Sequence, residues 1–159
     1  MPQEALCQIE WRVDGPADEW ADVAIYFEGV SLIDLVAQYE ESRGYFPAGG
    51  YGWCPVRWTR PLSRHFMGEP HWPPGGGKAL LLLCGCQNLG CWDFNARITV
   101  TPEHVEWSDF EQVHRDRDSA GGHWDYSGLG PFRFDRRQYE AALAAAAAAA
   151  AAASARPAT

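Results

Sequence analysis

The sequence contains no long hydrophobic run. No apolar segment approaches the length of about 20 residues that a membrane-spanning helix needs. The alanine tract over 144–153 is too weakly hydrophobic to form such a helix. The N-terminal residues also lack the basic segment and the apolar core of a secretion signal. These absences argue against a membrane protein and lead us to expect a cytoplasmic location.

Basic residues are scarce as well. The chain has 13 lysines and arginines against 21 aspartates and glutamates, which gives a net charge of −8. Because such a chain repels the phosphates of nucleic acids and anionic lipids, we expect neither as a partner, and a basic protein is the partner that the charge favours. Lys78 is the single lysine, and the arginine bias together with the alanine tract indicates a high-GC bacterial genome. The composition predicts no oligomeric state.

The pattern of apolar residues predicts an α+β fold. Alternating or continuous apolar residues predict strands over these stretches: 6–13, 22–28, 79–84 and a hairpin within 94–110. Capping residues predict helices that begin after Ser31 and Asp135. We therefore expect an antiparallel sheet of about five strands with two helices packed on one face. The predicted domain covers 1–143, and 144–159 form an alanine-rich helical extension or tail.

The hairpin over 94–110 has a predictable register. Pro102-Glu103 is suited to the centre of a tight turn, and a turn there makes the numbers of facing residues add up to 205. Ile98 then faces Trp107, and Val100 faces Val105, which gives one apolar face.

A long stretch over 43–78 is rich in proline, glycine and aromatic residues and predicts a long loop with at most short elements. Its aromatic content argues against disorder. Two interpretations remain open. The loop is either a lid or recognition surface that uses Trp53, Trp58 and Trp72, or an irregular cover over one face of the sheet.

Five cysteines and no export signal argue against a disulfide framework. Three of the cysteines, Cys84, Cys86 and Cys91, lie within eight residues at the end of the predicted central strand. A closed zinc site needs four ligands, and the hairpin register puts His114 opposite Cys91, or beside Trp92 if the register shifts by one. The spacing therefore predicts a metal site, with zinc as the expected ion, formed by Cys84, Cys86, Cys91 and His114.

Three other interpretations of the cysteines stay open. Cys84 and Cys86 could form a reducible disulfide, or a thiolate near Arg115 could be activated. A nucleophilic cysteine could use His114 as its base and Asp109 or Asp116 to orient it, with Asp125 in the loop that follows as a further candidate. Finally, the cysteines could be small buried hydrophobic residues.

Residues 80–143 resemble a family of small cytosolic proteins from high-GC bacteria that has no assigned function. The likeness is carried by Leu83-Cys84-Gly85-Cys86, Gly90-Cys91-Trp92, 105–112 with His114-Arg115, and 125–135 with Tyr139-Glu140. Val113 stands where we expect proline in members of the family. The resemblance implies no reaction, but it marks the cysteine cluster, His114-Arg115 and Asp125-Tyr126 as the segments to test.

Two hypotheses of function follow. The first is a small acidic binding protein, comparable to toxin-neutralising immunity proteins, in which the cysteine cluster is a structural metal or thiol site. The second is a small metal- or thiol-dependent enzyme centred on the cysteines and His114, with Arg115, Asp109 and Asp125 as further catalytic candidates.

Overall fold

The structure is a computed structural model that describes residues 6–15, 19–70 and 77–155. It has an α+β fold with an antiparallel sheet, as predicted. Within the described residues the strands are β1 (Ile9–Asp14), β2 (Asp22–Phe27), β3 (Val30–Ser31), β4 (Tyr51–Pro55), β5 (Ala79–Cys84), β6 (Phe94–Val100), β7 (His104–Gln112) and β8 (Phe132–Asp135). The helices there are α1 (Leu32–Ser42), α2 (Val56–Thr59), α3 (Leu62–His65) and α4 (Arg136–Ala155).

The prediction of about five strands was wrong, because the sheet has eight in the part of the chain that is described. The three strands that were missed are β3, β4 and β8. Two of them, β3 and β8, have only two and four residues, too few for an alternating pattern to be visible. The third, β4, lies in the glycine- and proline-rich stretch, and it is a strand because β2 and β5 pair with its two edges.

The strands follow one another in the order β1-β2-β4-β5-β6-β7-β8, with β3 paired to β2. Near the N-terminus, Cys7 forms a parallel bridge to Phe134 of β8, and its N–H donates to the Arg133 carbonyl at 2.8 Å. The chain just before the first strand thus meets the last strand, so the sheet curls around one main core.

That core collects apolar side chains from the sheet and from both longer helices. Leu32 and Val36 of α1 belong to the same buried cluster as Tyr139 and Leu143 of α4. The alanine tract continues α4, and its Ala146 and Ala150 are buried in this cluster too. A second, small cluster is formed by Cys54, Leu80 and Leu83.

Both predicted helix starts are confirmed. The Ser31 hydroxyl accepts the Asp34 N–H at 3.1 Å, and the Asp135 carboxylate accepts the Gln138 N–H at 3.0 Å. The Gln138 side chain does not return to its own cap. It donates to the Ile9 carbonyl at 2.8 Å and accepts the Ile9 N–H at 3.2 Å, which ties α4 to β1.

The predicted hairpin register is confirmed near the turn, where Ile98 faces Trp107 and Val100 faces Val105. Farther from the turn a β-bulge shifts the register by one residue, so that Phe94 faces Gln112. The bulge contains Asp109, whose φ of 51° lies in the left-handed region that aspartate tolerates better than most residues. This shift decides what lies beside the cysteine cluster.

The stretch over 43–78 is described at 43–70 and 77–78, where it contains β4, α2 and α3. It therefore holds short elements, one of which, β4, belongs to the sheet itself. Trp72 lies outside the described residues. No helix in the described part of the chain combines the length and the apolarity that crossing a bilayer would require.

Candidate metal centre and the neighbouring cleft

The three clustered cysteines lie close together at the end of β5 and in the loop that leads to β6. Each pair of sulfur atoms in Cys84, Cys86 and Cys91 lies within 4.8 Å, and all three residues are free thiols. Cys84 is half-buried, whereas Cys86 and Cys91 are exposed. The donors of a soft metal ion are therefore grouped at the surface, close enough together to bind one ion.

A turn brings the sulfurs together. The strand ends at Cys84, so Cys86 lies in the turn that follows it. Instead the Cys84 carbonyl accepts the N–H of Gln87 at 2.8 Å, and Gln87 has a φ of 63°. Gly85 donates to the Gly50 carbonyl at 2.8 Å, which fixes the start of the turn against the neighbouring loop.

Gly90, the residue before Cys91, is fixed by hydrogen bonds at both its N–H and its carbonyl oxygen. Its N–H donates to both carboxylate oxygens of Asp93, at 2.9 and 3.0 Å. Its carbonyl oxygen lies 2.7 Å from Nε2 of His114. Because a carbonyl only accepts, Nε2 of His114 carries the proton in this contact. Asp93 and His114 thus position the segment that presents Cys91.

The bulge places His114 beside Trp92, the residue after Cys91. His114 belongs to a short 3₁₀ turn, Val113–Arg115, and its N–H donates to the Gln112 side chain at 2.9 Å. Its ring is nearly parallel to that of Trp92, with 6.2 Å between centroids and 9° between planes. The one-residue register shift predicts this neighbour.

Within the described residues, no histidine, aspartate or glutamate joins the group of three sulfurs. That includes His114, whose Nε2 donates to Gly90. The structure brings His114 next to the cluster, and its role as the fourth ligand stays a prediction.

The thiols influence one another. The Asn88 backbone N–H and hydrogen bonds from Cys84 and Cys91 lower the pKa of Cys86. Hydrogen bonding to Cys84 and Cys86 raises the pKa of Cys91 to about 11. One thiolate is therefore stabilised by two thiols, and a metal ion would displace the remaining protons.

The catalytic candidates Asp109, Arg115 and Asp125 line one cleft of about 560 Å³, together with Trp124 and Tyr126. The clustered cysteines and His114 are not among its lining residues. The sequence suggested one centre for all of these groups, whereas the structure places Asp109, Arg115 and Asp125 in a cleft that the cysteines do not line.

Each of these candidates already has a partner in the protein. Asp109 accepts a hydrogen bond from Arg97 at 3.1 Å. Asp125 accepts from the backbone and hydroxyl of Ser127, which lowers its pKa. The Arg115 guanidinium lies between two indoles, 4.9 Å from the Trp92 centroid and 5.3 Å from that of Trp124. This geometry stabilises the loop that forms the cleft.

The tryptophans predicted as a recognition surface are half-buried where they are described. Trp53 contacts Tyr26, with 5.9 Å between ring centroids, and Trp58 packs against the small second cluster beneath the guanidinium of Arg57. Both pack against residues of the sheet, and their role as a recognition surface stays a prediction.

Sequence reasoning missed a buried polar network around Glu40. This side chain is fully buried and accepts hydrogen bonds from the Gly49 N–H at 2.8 Å, the Tyr51 hydroxyl at 2.7 Å and the Tyr126 hydroxyl at 2.5 Å. Burial raises the pKa of Glu40. A signal was present, because Glu40 follows Leu32 and Val36 at intervals of four residues and so continues the apolar row of α1.

No family model, curated protein or solved structure matches this chain. The function is therefore inferred from the geometry of the chain's own residues.

Proposed function

We propose that this protein is a small acidic binding protein in which Cys84, Cys86 and Cys91 bind a zinc ion. The observation that carries the proposal is the mutual distance of the three sulfurs, all within 4.8 Å. With Zn–S bonds of about 2.3 Å, two sulfurs on a tetrahedral zinc are about 3.8 Å apart, so small side-chain movements suffice. Thiolates are ligands that select zinc over hard cations such as magnesium.

The ion would fix the connection between two central strands. Residues 85–91 are all exposed and lie between β5 and β6, so they have little buried surface of their own to hold them in place. A metal bound to one sulfur at the end of β5 and two in the loop would tie the loop to the sheet. This is the structural role that the first hypothesis gives to the cysteine cluster.

Metal analysis of the purified chain tests the proposal. We expect one zinc per chain by elemental mass spectrometry, and we expect a chelator to make three further thiols reactive in the native protein. Cys91→Ser should lose the zinc, whereas Cys7→Ser should keep it, because Cys7 lies at the bridge to β8. A chain that takes up no zinc and whose native thiol count is unchanged by the chelator would overturn the proposal.

The partner that we propose is a basic protein, and the support is the net charge of −8. A reducing cytoplasmic location belongs to the proposal, since three thiols this close together would be prone to cross-linking in an oxidising compartment. Co-purification with a basic protein encoded by a neighbouring gene is the test. We expect a complex that added salt weakens. A complex that is indifferent to salt would contradict an electrostatic interaction.

A second candidate function is a thiol-dependent enzyme, and the exposed Cys86 favours it. The backbone N–H of Asn88 and the neighbouring thiols lower the pKa of Cys86. This candidate predicts that iodoacetamide modifies Cys86 in the metal-free protein much faster than Cys7, another incompletely buried thiol. Equal rates at the two positions would rule out an activated Cys86.

A further inference from the structure

We infer that the metal ion at Cys84, Cys86 and Cys91 keeps its fourth coordination position open to an external ligand, and that this ligand is a neutral nitrogen donor such as an imidazole. The inference rests on the proposed zinc site and adds the chemical class of what the site binds. It also changes the role of His114 from metal ligand to positioning residue.

The two ionisable side chains that bind the backbone beside Cys91 are already engaged by that backbone. Nε2 of His114 donates to the carbonyl of Gly90, and the two carboxylate oxygens of Asp93 accept the N–H of the same residue. His114 is also fixed by the stacking of its ring on Trp92 and by the backbone bond to Gln112. These two residues hold the backbone that presents Cys91, which is the usual role of groups around a metal ligand.

The loop that carries Cys86 and Cys91 is accessible to solvent. Every residue from Gly85 to Cys91 is exposed, and two of the three cysteines lie within this range. Cys86 and Cys91 are thus accessible from solvent, and the large cleft is lined by other residues. Structural zinc sites are closed by four protein ligands, whereas three protein ligands and an open position are typical of sites that bind and activate a further molecule.

The charge of the metal site selects the class of the external ligand. Three thiolates and one Zn²⁺ carry a net charge of −1 in a chain whose own net charge is −8. The Gln87 amide in the same loop binds Asp22, and Asp93 lies beside Gly90. His114 and Arg115, whose guanidinium packs on Trp92, are the basic neighbours. Because the metal and its three sulfurs themselves carry the negative charge, an anion is disfavoured at the fourth position and a neutral imidazole is favoured. When bound, the zinc would act on such a ligand as a Lewis acid.

Cobalt(II) in place of zinc gives a spectrum that tests the metal site and its open fourth position separately. Its sulfur-to-metal charge-transfer absorption reports binding to the cysteines, and its ligand-field bands report the fourth ligand. We would load the full chain with Co²⁺ under anaerobic conditions and titrate it with imidazole and, separately, with azide. We expect imidazole to shift the ligand-field bands in a saturable manner, and azide to have little effect.

Variants of His114 test its positioning role. The His114→Gln side chain can still donate to the Gly90 carbonyl, whereas His114→Ala cannot. We expect His114→Ala to lower the affinity for Co²⁺ about 10- to 100-fold, as is typical for residues that orient a metal ligand, with unchanged ligand-field bands. His114→Gln should restore the affinity.

Each contrary result has a distinct meaning. If charge-transfer absorption is absent, the proposed zinc site itself fails. If it is present, but imidazole has no effect and both His114 variants change the ligand-field bands, His114 is the fourth ligand and the open position is refuted. If azide binds better than imidazole, the position is open but the assigned ligand class is wrong.

Discussion

His65 provides a quantitative test of how burial controls the stability of this protein. The side chain ends α3, is only 1% exposed, and its Nε2 donates to the Leu80 carbonyl at 2.8 Å. Its Nδ1 has no hydrogen-bond partner in the described part of the chain. Burial disfavours the imidazolium, which lowers the pKa of His65 from 6.5 to about 4.

The sign of the pH effect follows from the two pKa values. Between pH 6.5 and 4 the unfolded chain binds a proton at this histidine and the folded chain does not, so the free energy of unfolding falls as the pH is lowered. The contribution is fully present above the unfolded pKa. At pH 4 the loss is about 3 kcal/mol, because each unit of pKa difference corresponds to about 1.4 kcal/mol.

The assay is urea unfolding of the wild type and of His65→Gln at several pH values from 7 to 4, followed by tryptophan fluorescence. We expect the difference in unfolding free energy between the two chains to shift by about 3 kcal/mol over this range, because protons taken up elsewhere cancel in the comparison. His123→Gln, the same substitution at an exposed histidine, is the matched control for the change of side chain. A constant difference between His65→Gln and the wild type would refute the reasoning.

Two further predictions concern Glu40 and Gly68. Burial raises the pKa of Glu40, so the folded chain binds its proton more tightly, and this group makes the protein more stable as the pH falls from its folded pKa towards 4.5. Glu40→Gln should abolish that gain in urea unfolding, while Glu41→Gln, at the exposed neighbour, should keep it. Gly68→Ala should destabilise the protein about 1–3 kcal/mol more than Gly29→Ala by thermal unfolding, since both glycines have a φ of +80° but a Cβ at Gly68 would lie 2.8 Å from the Ile98 carbonyl oxygen. Equal losses at the two glycines would show that the backbone there moves aside.

The features that could be predicted from sequence depend on neighbours along the chain. The cap at Ser31 and the pairing of Ile98 with Trp107 are set within a few residues, and both were found as predicted. The convergence of the three cysteines was also visible, because they lie within eight residues. The position of His114 was predicted less well, since the bulge at Asp109 moved the register by one residue.

The amino-acid sequence alone determined the α+β class, the helix starts, the acidic charge and the grouping of three sulfurs, because each depends on local spacing or on composition. The tertiary structure decided that β3, β4 and β8 are also strands, that Glu40 is buried, and that Nε2 of His114 donates its proton to the Gly90 carbonyl. Those features join residues far apart in the chain: Glu40 and Tyr126, which share a hydrogen bond, are 86 positions apart. Such a contact forms only when the folded sheet brings the two segments together, and no local pattern encodes it.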